Sequence, residues 1–187
     1  MQPESVLIRP ATVADIAAIT AIYGPEVETG LASWEEIPPS ADEMAARMEK
    51  LQSAGLPYLA AESAGRLLGY AYAGPFHPRA AYRFTLEDTV YVHPDAQGRG
   101  VGRALLEQLL ADCTAQGYRQ MMALIHFTPD SASIALHQQL GFRMIGVATA
   151  LGYKLGAWRD LAQLQLSLGA GNATEPGPLA ARPRTAS

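Results

Sequence analysis

The stretch from Thr85 to Gly117, TLEDTVYVHPDAQGRGVGRALLEQLLADCTAQG, constrains this chain more than any other. Leu86, Val90 and Val92 fall on one alternating set with β-branched and aromatic neighbours, which predicts a strand over Thr85 to Val92. His93-Pro94-Asp95 ends it, because proline brings no N–H to a ladder and restricts the residue before it. Gln97-Gly98-Arg99-Gly100-Val101-Gly102 comes next, and then Leu105, Leu106, Leu109, Leu110 and Cys113 recur at helical spacing. Gly117 is the expected helix stop. Glycines at a helix entrance let backbone N–H groups converge, and the helix dipole adds positive potential. A strand, a glycine loop and a helix in succession therefore describe a cradle for a pyrophosphate.

Two common phosphate loops are excluded. A P-loop needs Gly-Lys-Ser/Thr where the chain has Gly102-Arg103-Ala104, and a dinucleotide fingerprint needs glycine at 103, where arginine stands. What remains is Gln-x-x-Gly-x-Gly after a strand, or an ordinary glycine turn before a helix. The rest of the chain separates these two.

Val6 to Pro10 reads as an opening strand. Thr12 caps a first helix with Ile16, Ile19, Ile22 and Tyr23 on one stripe, fading near Glu28 to Gly30. A loop carrying Trp34 follows, and Ser40-Ala41-Asp42-Glu43 is a capping box for a second helix. Pro57 to Glu62 and Arg66 to Ala73 form a hairpin about Ala64-Gly65, and the central strand is expected to begin near Tyr82. After the central helix, Gln120 to His126 is a strand and Ser131 to Leu140 a short helix. Gly141-Phe142 opens a strand through Val147, and a last strand covers roughly Trp158 to Leu168.

With 187 residues, 49% of them hydrophobic and 17% charged, the chain suits one domain with a sizeable core, placed here at 1–168. Residues 169–187 are rich in glycine, proline and alanine without an apolar period, and are expected to form a disordered tail. A net charge of −4 and the lack of a basic stripe predict no nucleic-acid partner. A single cysteine, Cys113, excludes an internal disulfide and falls on the core face of its helix. No apolar run is long enough to span a membrane, and MQPESVLIRP has no signal-peptide core, so no membrane partner and a cytoplasmic location are expected. His77, His93 and His126 lack metal-ligand spacing, and no metal is expected.

The predicted order β-α-α-β-β-β-α-β-α-β-β, the Gln97 to Gly102 loop and Leu-x-x-x-Leu-Gly-Phe at Leu136 to Phe142 resemble the GCN5-related N-acetyltransferases (GNAT). Within that superfamily, Gly69 to Pro75, Tyr82 to Val92, Ser133 to Phe142 and Gly152 to Asp160 are similar to the phosphinothricin N-acetyltransferase group. That group includes members that acetylate methionine sulfone and methionine sulfoximine. The similarity runs from about Ile8 to Leu168. It implies an α+β (α/β) fold: a mixed, mostly antiparallel sheet of six to seven strands, flanked by about four helices and splayed at an acetyl-CoA site. It further implies a homodimer and direct acetyl transfer to the α-amine of a small amino-acid-like substrate. Acetylation of a protein N-terminus or lysine, and a non-catalytic acyl-CoA sensor, are the competing readings.

Transfer to an ammonium requires a base, an oxyanion binder and a proton for the departing thiolate. Glu87 is a carboxylate in an otherwise apolar strand, costly to bury unless solvated, paired or used. The resemblance makes it the general base, against a surface salt bridge; Asp88 points to the opposite face and reads as structural. The resemblance also places the backbone of Val90, Tyr91 and Val92 on the thioester and pantetheine. The amides of Gly98, Arg99, Gly100, Gly102 and Arg103 would hold the pyrophosphate, with Gln97 and Val101 in the same cofactor-binding loop. His137 stands where many relatives carry a proton-donating tyrosine, and reads either as that donor or as a packed helix residue. Asp130 departs from a common asparagine, for which Ser131 or Ser133 could substitute. Trp34, Phe76, Arg79, Arg83 and Tyr153 are the acceptor-site candidates. Arg79 and Arg83 are each either a bidentate partner for the substrate carboxylate or a surface charge, and Arg83 shares strand parity with Glu87.

Overall fold

The computed structural model describes residues 6–179; the end of the expected tail, 180–187, lies outside the described residues. Seven strands form one sheet: β1 (Leu7–Pro10), β2 (Tyr58–Ser63), β3 (Arg66–Pro75), β4 (Thr85–Val92), β5 (Gln120–His126), β6 (Arg143–Lys154) and β7 (Ala157–Ser167). Their spatial order is β1-β2-β3-β4-β5-β7-β6, and every neighbouring pair is antiparallel except β4–β5. Four helices accompany it: α1 (Ile16–Glu28), α2 (Ala41–Ser53), α3 (Val101–Ala115) and α4 (Ala132–Gln139). The element order read from the sequence is the one observed. No helix among the described residues is long and apolar enough to cross a membrane.

Local chemistry sets the helix starts. A 3₁₀ turn over Val13–Asp15 precedes α1, where Thr12 and Asp15 form a capping box and Arg9 holds Asp15 at 2.7 Å. The Ser40 hydroxyl accepts the Glu43 N–H at 3.2 Å to start α2, and the Ser131 hydroxyl does the same for Ile134 at 3.2 Å to start α4.

The sheet separates two cores. Leu86, Val90 and Val92 of β4 face α3, whose Leu105, Leu106, Leu109 and Cys113 are fully buried. Burial of each leucine contributes about 1.5–3 kcal/mol. On the other face, Tyr58, Tyr70, Tyr72 and Tyr91 pack beneath Ile19 and Tyr23 of α1 and Met44 and Met48 of α2. Cys113 is buried as expected, and burial pushes its thiol up to about 12, so it is inert.

Two expectations are corrected. The central strand begins at Thr85, not Tyr82, because Ala80–Tyr82 is a 3₁₀ turn. There the Tyr82 and Arg83 N–H groups bond to the Arg79 and Ala80 carbonyls at 3.0 and 3.2 Å, so they cannot join a ladder. Arg83 therefore has no strand parity with Glu87. The strand after Phe142 runs to Lys154, well past Val147. It crosses an irregularity between Ala148 and Gly152, where Ala150 adopts φ +51° and its N–H donates to Asp160 Oδ1 at 2.8 Å. That side chain replaces the missing ladder bond, a bulge that alternation alone does not reveal.

Residues 169–179 form neither helix nor strand. Arg119 donates to the carbonyls of Gly171 and Glu175 and to the Thr174 hydroxyl, each at 3.2 Å.

Candidate active site

β4 and β5 pair only from Thr85–Gln120 to Glu87–Met122. Beyond that point β4 stays with β3 as far as Val92, while β5 stays with β7 as far as His126. The two central strands thus part, and backbone groups on the facing edges lose their ladder partners. A cavity of about 400 Å³ opens in the gap, with Trp34, Glu87, Tyr91, His126, Ser133 and His137 among its walls.

Glu87 sits at the last rung of the ladder. Its carboxyl makes no hydrogen bond or ion pair with another described residue. Burial, and secondarily the charge of Asp88, raise its carboxyl from 4.5 to about 7. A carboxyl poised there is uncharged just below neutrality and an effective proton acceptor just above it.

Asp88 faces the opposite side, as its parity predicts. It is buried and bonds to the equally buried His137, with Nε2 to Oδ1 at 3.1 Å. His137 Nδ1 donates to the Ser133 carbonyl at 2.7 Å. Burial pushes the His137 imidazole down, but Asp88 and the Ser133 carbonyl outweigh it and hold it above its usual 6.5. Tyr91 turns its ring toward α1 and its hydroxyl donates to the Ala32 carbonyl at 2.9 Å.

The glycine loop follows β4 directly. Gly98 and Gly100 adopt φ +70° and +83°, conformations that cost a side chain about 1–2 kcal/mol. Gly100 is the N-cap of α3, so the N–H groups of Val101, Gly102 and Arg103 open the helix without intrahelical partners. Gln97 Nε2 donates to the Val92 carbonyl at 3.4 Å, tying the loop to the strand end. The Arg99 side chain is exposed, whereas Arg103 is engaged by Glu107 at 3.2 Å and Gln139 at 2.6 Å, linking α3 to α4. A strand edge that β5 leaves uncovered beyond Glu87, leading to a helix N-terminus with left-handed glycines, fits a pantetheine–pyrophosphate chain such as that of acetyl-CoA. Ser131 and Ser133 also line the gap, although the Ser131 hydroxyl already caps α4.

The loop between α1 and α2 forms the remaining wall. Trp34 stands edge-on to His126, with ring centroids 6.3 Å apart, and packs so closely on Gly152 that a Cβ there would overlap its ring. Tyr23 binds Ser33 and Glu35 at 2.8 and 2.7 Å, and Arg47 grips both Glu35 oxygens at 2.6 and 3.0 Å. Buried Lys154, reaching from β6, donates to the Ser33 and Glu26 carbonyls at 2.6 and 2.9 Å. A loop fixed at so many points presents a preformed wall.

The structure brings Trp34, Glu87, Val90, Tyr91, Ser131, Ser133 and His137 to one cavity. Arg79 and Arg83 line a separate hollow with His77 and Tyr82. Phe76 packs edge-on to Tyr82, and Tyr153 is exposed beside Trp158 on the β6–β7 ribbon. His126, read from the sequence as a strand-end residue, lines the cavity, and burial pushes its imidazole below the usual value. Lys154 and Tyr23 were not singled out for the site. A lysine in a strand carries no signal that it will be buried against a loop more than a hundred residues away.

Comparison with known proteins agrees with this geometry. The profile of the acetyltransferase (GNAT) family matches residues 19–142. The chain is 52% identical over 162 residues to a phosphinothricin N-acetyltransferase of Alcaligenes faecalis, covering 87% of this chain and 82% of that one. It is 40% identical over 165 residues to an L-methionine sulfoximine/L-methionine sulfone acetyltransferase of Pseudomonas paraeruginosa, covering 88% and 95%. The crystal structure of a phosphinothricin acetyltransferase from Sinorhizobium meliloti in complex with acetyl-CoA superimposes with a TM-score of 0.88 at 46% identity, covering 92% and 93%. The chain belongs to the acetyltransferase (GNAT) family and is an N-acetyltransferase that uses acetyl-CoA.

Proposed function

We propose that the chain acetylates the α-amino group of a small amino-acid-like acceptor of the phosphinothricin, methionine sulfoximine or methionine sulfone type, by direct transfer in a ternary complex. The observation that carries this reading is Glu87. It is an unpaired carboxyl raised to about 7, on the face of a 400 Å³ cavity walled by a braced Trp34 loop. Glu87 takes a proton from the acceptor ammonium, directly or through water, and leaves the neutral amine that attacks. Acetyl-CoA supplies the activated acetyl group. The backbone edge of β4 over Val90 to Val92, which β5 leaves uncovered, orients its arm, and the N–H groups of Gly98 to Arg103 hold its pyrophosphate. His137 delivers a proton to the departing sulfur. The preformed wall and the limited volume favour a small acceptor over a peptide.

We also propose that the protein works as a homodimer through the β6–β7 ribbon. β6 is the sheet edge, and Leu151, Tyr153, Leu155 and Trp158 expose 49–65% of their surface there. A patch of that kind on a free edge is normally covered.

The test is thiol release from acetyl-CoA by the purified protein with phosphinothricin, methionine sulfoximine, methionine sulfone, ordinary amino acids and a short peptide. Turnover concentrated on the first three supports the reading. Turnover with the peptide alone, or acetyl-CoA binding without turnover on any acceptor, overturns it.

A further inference from the structure

His137, the proton donor, is bonded to Asp88, the residue immediately beyond the last β4–β5 rung. Asp88 and His137 meet at 3.1 Å with side chains only 3% and 1% exposed. Two buried groups in such contact leave the cavity only as a matched set, because removing one strands the other without a partner. The ring is further fixed on its Nδ1 side by the Ser133 carbonyl and stands edge-on to Phe142 at 5.0 Å. Both ring nitrogens therefore face acceptors, the arrangement that favours the doubly protonated imidazolium. The second carboxylate oxygen of Asp88, Oδ2, is buried with no hydrogen-bond partner among the described residues, and Asp88 lines the cavity. An orphaned buried carboxylate oxygen at a ligand cavity calls for a compensating charge, and the imidazolium is the cation bonded to it.

The location matters as much as the chemistry. α4 follows β5, so a bond from α4 to Asp88 spans the gap in which β4 and β5 exchange no hydrogen bonds. We propose that Asp88 is a positioning residue of the donor cleft: its carboxylate holds His137 as the cation that protonates the departing thiolate, and it ties α4 to β4 where the strands part. This rests on the acetyltransferase reading of the cavity. In the step, the thioester C–S bond breaks and sulfur leaves with the electron pair. The Nε2 proton moves from its bond with Asp88 to that sulfur. Asp88 stays a carboxylate, the imidazole is left neutral, and solvent restores the proton.

The titratable neighbours are few. Glu87 adjoins Asp88 on β4, and Cys113 feels the Asp88 charge from α3. Neutralising Asp88 therefore also lowers Glu87 somewhat, although burial is the larger cause of the Glu87 displacement. Both limbs of a pH–rate profile then move toward acid, so the profile alone is ambiguous. The His137 titration is the decisive signal.

The experiment is a histidine-labelled NMR titration of the full chain and of Asp88→Asn, with His137 assigned through His137→Asn, alongside kcat against pH. In the parent, His137 is expected to carry protons on both nitrogens above its usual titration range. In Asp88→Asn its titration should fall by at least about one pH unit, the scale set by loss of an opposite charge in contact. The alkaline limb of kcat should fall with it, and the double variant should be no slower than His137→Asn alone. A His137 already neutral at pH 7 in the parent overturns the proposal without need of any variant. So does an unmoved titration or alkaline limb in Asp88→Asn, even with a lowered melting temperature, because a purely structural contact would change stability only. The titration needs no turnover, so failure of the pair and failure of the acetyltransferase reading give different results.

Discussion

Replacing Glu87 by glutamine should make the protein more stable and nearly inactive, and the stability gain should depend on pH. Burial is the main reason that the Glu87 carboxyl rises from 4.5 to about 7. At about 1.36 kcal/mol per unit, that displacement corresponds to about 3 kcal/mol. Because the side chain is partly exposed, solvent screening reduces it to about 1–2 kcal/mol. The sign follows from linkage. The folded state holds this proton more tightly than the unfolded chain does. Its stabilising contribution is therefore complete below about pH 4.5, drains away as pH rises to about 7, and is absent above. Glutamine is isosteric and cannot ionise, so Glu87→Gln should lack that slope. Urea unfolding of both proteins should show little difference near pH 4.5 and a gain of about 1–2 kcal/mol for the variant at pH 8.5. In the same preparations, loss of a general base should lower kcat by about 10²–10⁴ while acetyl-CoA affinity holds. An equal stability difference at both pH values would refute the burial argument. Turnover within about tenfold of the parent would remove Glu87 from the chemistry.

Other consequences can be checked separately. Gly152→Ala forces a Cβ into the Trp34 ring, so the loop wall must shift; the acceptor KM should rise at least about tenfold, the scale of lost positioning, with acetyl-CoA KM held, and an unchanged acceptor KM would show that Trp34 does not wall the acceptor site. Trp158→Glu places a charge in the exposed apolar ribbon and should convert the proposed dimer to monomer by light scattering; a parent already monomeric at micromolar concentration defeats the dimer proposal.

Much of this protein could be read from its sequence because the decisive signals are local. The strand from Thr85 to Val92, the glycine loop and the stripe of α3 rest on alternation, helical spacing and left-handed glycines at 98 and 100, each set within a few residues. The capping box at Ser40 announced its helix for the same reason. Glu87 stood out because a charge in an apolar strand needs an explanation wherever the strand goes. What the sequence could not settle involved partners far along the chain. Arg83 lost its apparent strand parity to a 3₁₀ turn closed by neighbouring carbonyls. Asp88 acquired a role only when the parting of β4 from β5 brought α4 across the gap, 49 residues away in sequence. Lys154 braces the Trp34 loop from 121 residues beyond Ser33. Periodicity fixes which way a side chain faces relative to its own strand or helix. What it then meets is set by how the sheet opens and which elements pack over the opening, and that is decided only by tertiary structure.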